Sequence, residues 1–138
     1  MFFKKGKLDK KENDFTKIAA LLIHAAKIDE NFSIKEEQII KKSLLKIGVE
    51  NNNLDKIFND GKEKEADSNQ ILEFTKEVKK MAQEDKIKII ETLWEIIYSN
   101  NEADIYETNL MRRLAGLMYV DSKIMGDIKE KIKNKNSL

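Results

Sequence analysis

Apolar residues recur at intervals of three and four along most of this chain, and no proline interrupts them. This spacing lines one face of a helix, whereas proline breaks helices because it lacks the amide proton and clashes with the preceding turn. Only five glycines are spread over the 138 residues. The sequence therefore predicts an all-α protein with a compact core.

Composition narrows the classes of function. The hydrophobic fraction of 41% and the length suit one domain with a buried core, despite 37% charged residues. The 26 basic and 25 acidic side chains nearly cancel, which argues against a dedicated nucleic-acid-binding protein. The absence of cysteine excludes disulfides, thiolate metal sites and cysteine nucleophiles.

The first residues carry lysines but no long apolar run. We expect residues 1–13 to form a flexible basic N-terminal arm and residues 14–135 to form a single helical domain. The sequence offers neither a signal peptide nor a membrane-spanning segment, so we expect a cytoplasmic protein. Phe2 and Phe3 beside these lysines offer a peripheral contact with an anionic membrane surface.

The helix boundaries follow from local signals. A first helix is predicted from about Asp14 to Lys27. After a polar break, Ser33 and Glu36 have the spacing of a capping box, in which each side chain bonds the other residue's amide. The second helix is expected to stop at Gly48, where glycine favours a left-handed backbone.

The remaining elements are predicted in the same way. Gly61 is expected to interrupt the highly charged tail of a short amphipathic segment. Ser68 is expected to cap a helix whose inward residues are Ile71, Leu72, Thr75 and Val78. A strongly apolar helix is predicted from about Glu84 to Ser99, and Ser122 is expected to cap the last helix.

The chain contains an internal duplication. Sliding the sequence along itself by 71 positions (89 − 18 = 71) superimposes two polar breaks in the helical pattern. We therefore predict two related helix–loop–helix units in one core. The matched residues are Ile18 with Ile89, Leu22 with Leu93, Ile34 with Ile105, Glu36 with Glu107, and Lys41–Lys42 with Arg112–Arg113, the only arginines present.

The first unit resembles the TerB-like family, named from tellurite-resistance protein B. The family pattern is an alanine-rich helix that ends in Asp-Gly, with a Glu seven residues after the Asp. Asp29 and Glu36 match this pattern, while Glu30 replaces the usual Gly. In the second unit the helical flanks are similar, but Asn100 and Asn101 replace Asp-Gly.

The resemblance covers roughly Phe15 to Val120 and extends to the helical domain on the N-terminal side of some membrane-anchored DnaJ-type co-chaperones. It implies a fold of about seven helices, an acidic surface around the paired loops, and a role in stress or metalloid resistance. The chain lacks the His-Pro-Asp motif of a J-domain, so a DnaJ-type activity is excluded.

Oxygen donors alternate in both breaks, and a Glu closes each of them. A calmodulin-type calcium loop is rejected, because Ile34 and Ile105 occupy the position of its turn glycine. Two interpretations stay open: the acidic and amide side chains share a divalent cation between the loops, or they only cap helices. The candidate ligands are Asp29, Asn31, Glu36, Asn100, Glu102, Asp104 and Glu107.

Tyr98, Tyr106, Arg112 and Arg113 lie close to the second break in the sequence. Such aromatic and guanidinium groups favour protein contacts, although a solvated helix face is the alternative. His24 is the only histidine, and we expect it on a helix face rather than in a catalytic set. Neither a nucleophile–base pair nor a glycine-rich phosphate loop can be drawn.

Two functional hypotheses follow. The first is a non-enzymatic protein-interaction module of the TerB-like kind that acts in a stress or tellurite-resistance-type response. The alternative is a divalent-metal-binding protein that uses the paired acidic loops. Neither hypothesis requires an organic cofactor, and both exclude an enzyme.

Overall fold

The structure, a computed structural model, describes the backbone of residues 2–28, 32–68, 71–100 and 105–136, and the side chains of 12–28, 32–68, 71–99 and 107–135. Within these residues the chain forms seven α-helices and two short 3-10 helices, without a β-strand. The predicted all-α bundle is confirmed. The helices are α1 (Phe2–Ala26), α2 (Ile34–Lys46), α3 (Leu54–Ala66), α4 (Leu72–Lys79), α5 (Gln83–Ile97), α6 (Ile105–Leu117) and α7 (Ser122–Asn136), with 3-10 turns at Asn51–Asn53 and Tyr98–Asn100.

The C-terminal half of α1 forms the centre of the bundle. Every residue from Ile18 to Ala26 except His24 is buried, which is the pattern of a helix surrounded by protein. Helices α2, α3, α4 and α5 all pack against it. The apolar face of α5 continues this core toward α7 through Ile90, Leu93 and Ile97, each almost fully buried.

Helix α3 approaches α1 closely at Gly61. A Cβ atom on Gly61 would lie 2.8 Å from the Cβ of Ala19 and 3.2 Å from the amide nitrogen of Ala20. Only a residue without a side chain fits this distance. Gly61 was expected to interrupt a charged tail, but α3 runs through it from Leu54 to Ala66 and uses it for packing.

The predicted duplication extends to the helix boundaries. Helix α6 begins and ends 71 positions after α2 (105 − 34 and 117 − 46), and α5 ends 71 positions after α1 (97 − 26). Both α2 and α6 also end in the same hydrogen-bond motif. The amide of Val49 donates to the carbonyl of Leu44, and the amide of Val120 donates to that of Ala115, each at 3.0 Å.

Several predicted boundaries differ from the structure. Helix α1 begins at Phe2, so the backbone of the segment expected as an arm continues the helix. The N-cap position of α4 is held by Ile71, which cannot cap through its side chain, and Leu72 is exposed rather than inward. Helix α7 begins at Ser122, and the side chain that caps it is the preceding Asp121, which accepts from a backbone amide at 2.8 Å.

Candidate functional site

The first polar break separates α1 from α2, and the second separates α5 from α6. Most of both breaks, residues 29–31 and 101–104, lies outside the described residues. At the start of α2, the Lys35 Nζ donates a 3.2 Å hydrogen bond to the carbonyl of Ser99, in the 3-10 turn that follows α5. This contact brings the start of α2 close to the end of α5, so described residues that flank the two breaks are neighbours.

In the first break, the predicted capping box at the start of α2 is present. The amide of Glu36 donates to the Ser33 Oγ at 3.1 Å, and the Ser33 amide donates to the Glu36 Oε1 at 2.9 Å. The Ser33 hydroxyl donates to the same carboxylate oxygen at 2.9 Å. Because Glu36 is only 2% exposed, these bonds compensate the burial of its carboxylate.

Glu107 occupies the equivalent position in the second unit and is also buried, with 5% of its surface exposed. Its carboxylate lies near the phenol of Tyr98, which is buried in turn and stacks on Trp94 at 5.9 Å between ring centroids. Burial raises the pKa of Tyr98 above its usual value, and the negative charges of Glu130 and Glu107 raise it further.

Most of the candidate metal ligands cannot be placed. Asp29, Asn31, Glu102 and Asp104 lie outside the described residues, and so does the side chain of Asn100. Among the described side chains, no group of three or more His, Asp or Glu is arranged to hold a metal ion. The proposed cation site therefore stays a prediction, with Glu36 and Glu107 as its described members.

The four candidate contact residues separate in the structure. Arg112 and Arg113 are exposed on α6, as expected for partner-binding residues. Tyr98 is only 6% exposed and belongs mainly to the core. The side chain of Tyr106 lies outside the described residues.

Arg113 lines a pocket of about 440 Å³ between the end of α1 and α6. His24 and Ile28 form one wall, while Asn109 and Leu110 continue the other. The pocket thus combines one permanent cation, one amide and an apolar surface. Sequence reasoning missed Asn109, because nothing local links it to His24, which lies 85 positions earlier (109 − 24).

His24 is held by the end of α3. Its Nδ1 lies 3.3 Å from the Glu65 Oε1, and the Lys27 Nζ lies 2.7 Å from the Glu65 Oε2. Glu65 therefore joins His24 of α1, and Lys27 directly after α1, to α3. No local signal in the sequence predicts the contact with His24, because the two residues are 41 positions apart on separate helices.

The comparison with protein families agrees with the resemblance seen in the sequence. The model of the family described as "Tellurite resistance protein TerB" matches residues 15–130, which include both breaks and most of α7. The chain belongs to the TerB family. Comparisons with curated proteins and with solved structures returned no match. The likeness to domains of DnaJ-type co-chaperones stays a resemblance.

Another groove in this TerB-family chain has a volume of about 890 Å³, and α1, α3 and α4 form its walls. Some of its charges pair internally, as in the contacts Lys56–Glu12 at 3.0 Å and Lys64–Glu73 at 3.8 Å. Its open, charged lining lacks the apolar surface of a small-molecule site, so its size does not make it the candidate site.

None of the helices in the described part of this TerB-family chain is both long enough and apolar enough to span a bilayer. The described residues place one carboxylate, that of Glu65, at His24. The prediction of a non-enzymatic protein stays a prediction.

Proposed function

We infer that this TerB-family chain is a cytoplasmic, non-enzymatic protein-interaction module of a stress response. Its contact surface would be the end of the bundle where the two breaks meet. The pocket lined by Arg113 is the observation that carries this proposal. Tyr98 is left out of the surface because it is buried.

The chemistry of the pocket favours an acidic residue of a partner. A guanidinium group can bind a carboxylate through two parallel hydrogen bonds. Ile28 and Leu110 would cover the aliphatic part of the same partner side chain, and the amide of Asn109 could bind its backbone. Arg112 adds a second exposed cation beside the pocket.

Site-directed photo-crosslinking in living cells tests this proposal. A photoreactive residue at Asn109 should give one discrete crosslinked partner, and Arg113→Glu should remove it by placing a carboxylate opposite the partner's carboxylate. Lys42→Glu is the matched control. Lys42 is the exposed equivalent of Arg113 in the first unit (113 − 42 = 71), and this substitution makes the same change of charge. Equal crosslinking with neither substitution, with Arg113→Glu and with Lys42→Glu would reject the proposed surface.

Divalent-cation binding is a second candidate function. It is favoured by the equivalent positions and shared burial of Glu36 and Glu107, each of which follows a break rich in oxygen donors. The remaining ligands would be Asp29, Asn31, Asn100, Glu102 and Asp104. The competing explanation for Glu36 is its capping box.

A titration of amide NMR spectra with Ca²⁺, and then with Mn²⁺ as a paramagnetic probe, separates these explanations. Glu36→Gln removes a charge but retains a capping-box side chain, so it should abolish cation binding without unfolding α2. Glu37→Gln removes the same charge one position further along the helix and should leave binding unchanged. Unperturbed spectra at millimolar ion would reject the cation site.

A further inference from the structure

A third concave surface lies between α4 and the C-terminal end of α6, whereas the second break precedes the N-terminal end of α6. Its volume is about 640 Å³, which is within the range of sites that take up ligand side chains. Lys17 of α1 forms part of its edge, and we call this surface the α4–α6 groove.

Exposed apolar side chains are concentrated in this groove. The described part of the chain exposes four large hydrophobic residues, and two of them, Leu72 and Tyr119, line the groove with 45% and 72% of their surface exposed. Leu117, which is partly buried, lies between them and the core. Apolar surface left open in a concave site is typical of a binding site.

The backbone of Tyr119 has an unusual conformation. Its φ angle is +56°, and Tyr119 is the one described residue other than glycine with a positive φ. For most residues other than glycine and asparagine, a left-handed backbone costs about 1–2 kcal/mol. The turn that closes α6 holds Tyr119 in this conformation, through the hydrogen bond from the Val120 amide to the Ala115 carbonyl, and the ring itself is exposed on the rim of the groove.

The charges of the groove leave an excess of cations. Its two carboxylates already have lysine neighbours, since Glu77 lies 3.4 Å from Lys17 and Glu73 lies 3.8 Å from Lys64. Lys76 and Lys79 form no ion pair with the described carboxylates. The Lys79 Nζ instead lies 4.1 Å from the centroid of the Tyr119 ring, within reach of a cation–π contact.

We propose that the α4–α6 groove binds an acidic segment of a partner protein through an apolar side chain packed on Leu72 and Tyr119. Carboxylates on either side of that side chain would pair with Lys76 and Lys79. The concave shape favours an inserted side chain over a flat membrane surface. The near balance of 26 basic and 25 acidic side chains over the whole chain argues against a nucleic acid as the partner. This inference does not depend on the surface proposed at the two breaks.

The experiment uses the full chain and a short fluorescein-labelled peptide in which glutamates flank a leucine–phenylalanine pair. Binding should produce saturable amide shifts at Lys76, Lys79 and Tyr119 but not at Asn109. A companion peptide with glutamine in place of glutamate should bind at least about tenfold more weakly, which corresponds to about 1.4 kcal/mol. The affinity of the acidic peptide should also fall as the salt concentration rises.

Two variants test the named side chains. Tyr119→Gly removes the ring but suits the left-handed backbone, so it should weaken peptide binding about tenfold while the protein stays folded. Lys79→Glu should weaken binding by at least as much. Lys46→Glu is its matched control, because Lys46 is another exposed lysine in the last turn of a helix and lies outside the groove.

Several results would overturn the proposal. These are the absence of shifts at millimolar peptide, equal binding of the glutamine peptide, and unchanged affinity in Tyr119→Gly and Lys79→Glu. Amide shifts confined to the pocket at Arg113 would show that the acidic peptide binds there and not in the α4–α6 groove. Binding of phosphatidylserine vesicles or a single-stranded oligonucleotide in preference to the peptide would assign the groove to a different class of partner.

Discussion

Gly48 and Tyr119 occupy the same position in the two units, 71 residues apart, and both have a left-handed backbone, with φ angles of +117° and +56°. Each residue reverses the chain directly after a helix, α2 in the first unit and α6 in the second. The hydrogen bonds that close the two helices are also equivalent. The second unit therefore makes the same turn as the first without a glycine.

The two residues should respond differently to substitution. We expect Gly48→Ala to lower the free energy of unfolding by about 1–2 kcal/mol, because alanine is strained at a positive φ. A Cβ at this position would meet Phe15 at an ordinary distance of 3.6 Å, so the loss would come from the backbone. Urea unfolding measures this loss, and the fluorescence of the single, buried Trp94 reports the transition.

Tyr119→Gly should change the free energy of unfolding by less than about 1 kcal/mol. The substitution relieves backbone strain of about 1–2 kcal/mol, which stabilises the folded protein. Two losses oppose this gain. The cation–π contact contributes about 0.5–1 kcal/mol, and the greater backbone freedom of glycine stabilises the unfolded chain by about 0.4–1 kcal/mol. A large loss of stability would mean that the ring of Tyr119 contributes to the core despite its exposure. Equal losses in Gly48→Ala and Tyr119→Gly would contradict the strain argument.

The features that the sequence predicted correctly are local. The capping box of Ser33 and Glu36 joins residues three positions apart, and the turn at Gly48 needs one permissive residue. The duplication could also be found, because both units keep the same spacing between a helix end and the following cap. Such signals survive in any tertiary context because they depend only on neighbouring residues.

The features that sequence reasoning missed depend on contacts between distant helices. Gly61 is read as a helix breaker by propensity, but close packing against α1 decides its role. The link from His24 to Glu65 joins α1 to α3, and no periodic pattern encodes it. The left-handed turn at Tyr119 was missed because it lacks the glycine that normally marks such a turn. Of the candidate site, the capping box at Glu36 was predictable, whereas the pocket beside Arg113 was not.

The close approach of α3 and α1 predicts opposite effects of alanine at two glycines. Gly61→Ala should lower the free energy of unfolding by about 1–3 kcal/mol through overpacking. The higher helix propensity of alanine should offset about 1 kcal/mol of this loss. Gly126→Ala is the matched control. Gly126 lies inside α7 with nothing near its missing Cβ, so alanine should stabilise the protein by about 0.5–1 kcal/mol. Thermal unfolding of both variants measures the difference, and a stabilising Gly61→Ala would contradict the packing described here.

The two observed helix caps predict a contrast between serines. Ser33→Ala should lower the free energy of unfolding by about 0.5–2 kcal/mol, because it breaks the capping box and leaves the buried Glu36 carboxylate with fewer donors. Ser122→Ala should change the free energy of unfolding by less than about 0.5 kcal/mol, because Asp121 supplies the side-chain cap of α7. Chemical denaturation compares the variants. A larger loss in Ser122→Ala than in Ser33→Ala would reverse this assignment of caps.

The environment of Tyr98 predicts a loss of stability at alkaline pH. Burial, with the charges of Glu130 and Glu107, raises the pKa of the folded phenol, whereas the phenol of the unfolded chain ionises near pH 10. The folded protein therefore holds this proton more tightly. Its contribution to the free energy of unfolding is complete below about pH 10 and is lost as the pH rises through the folded pKa.

Tyr98→Phe isolates this contribution from the titration of the many lysines. The free energy of unfolding of the native chain should fall more steeply above about pH 10 than that of Tyr98→Phe. A constant offset between the two proteins below that pH would report the loss of the hydroxyl group itself. Tyr119→Phe is the control, because it removes the hydroxyl group of an exposed tyrosine. Identical pH profiles for the native chain and Tyr98→Phe would contradict the raised pKa of Tyr98 in the folded protein.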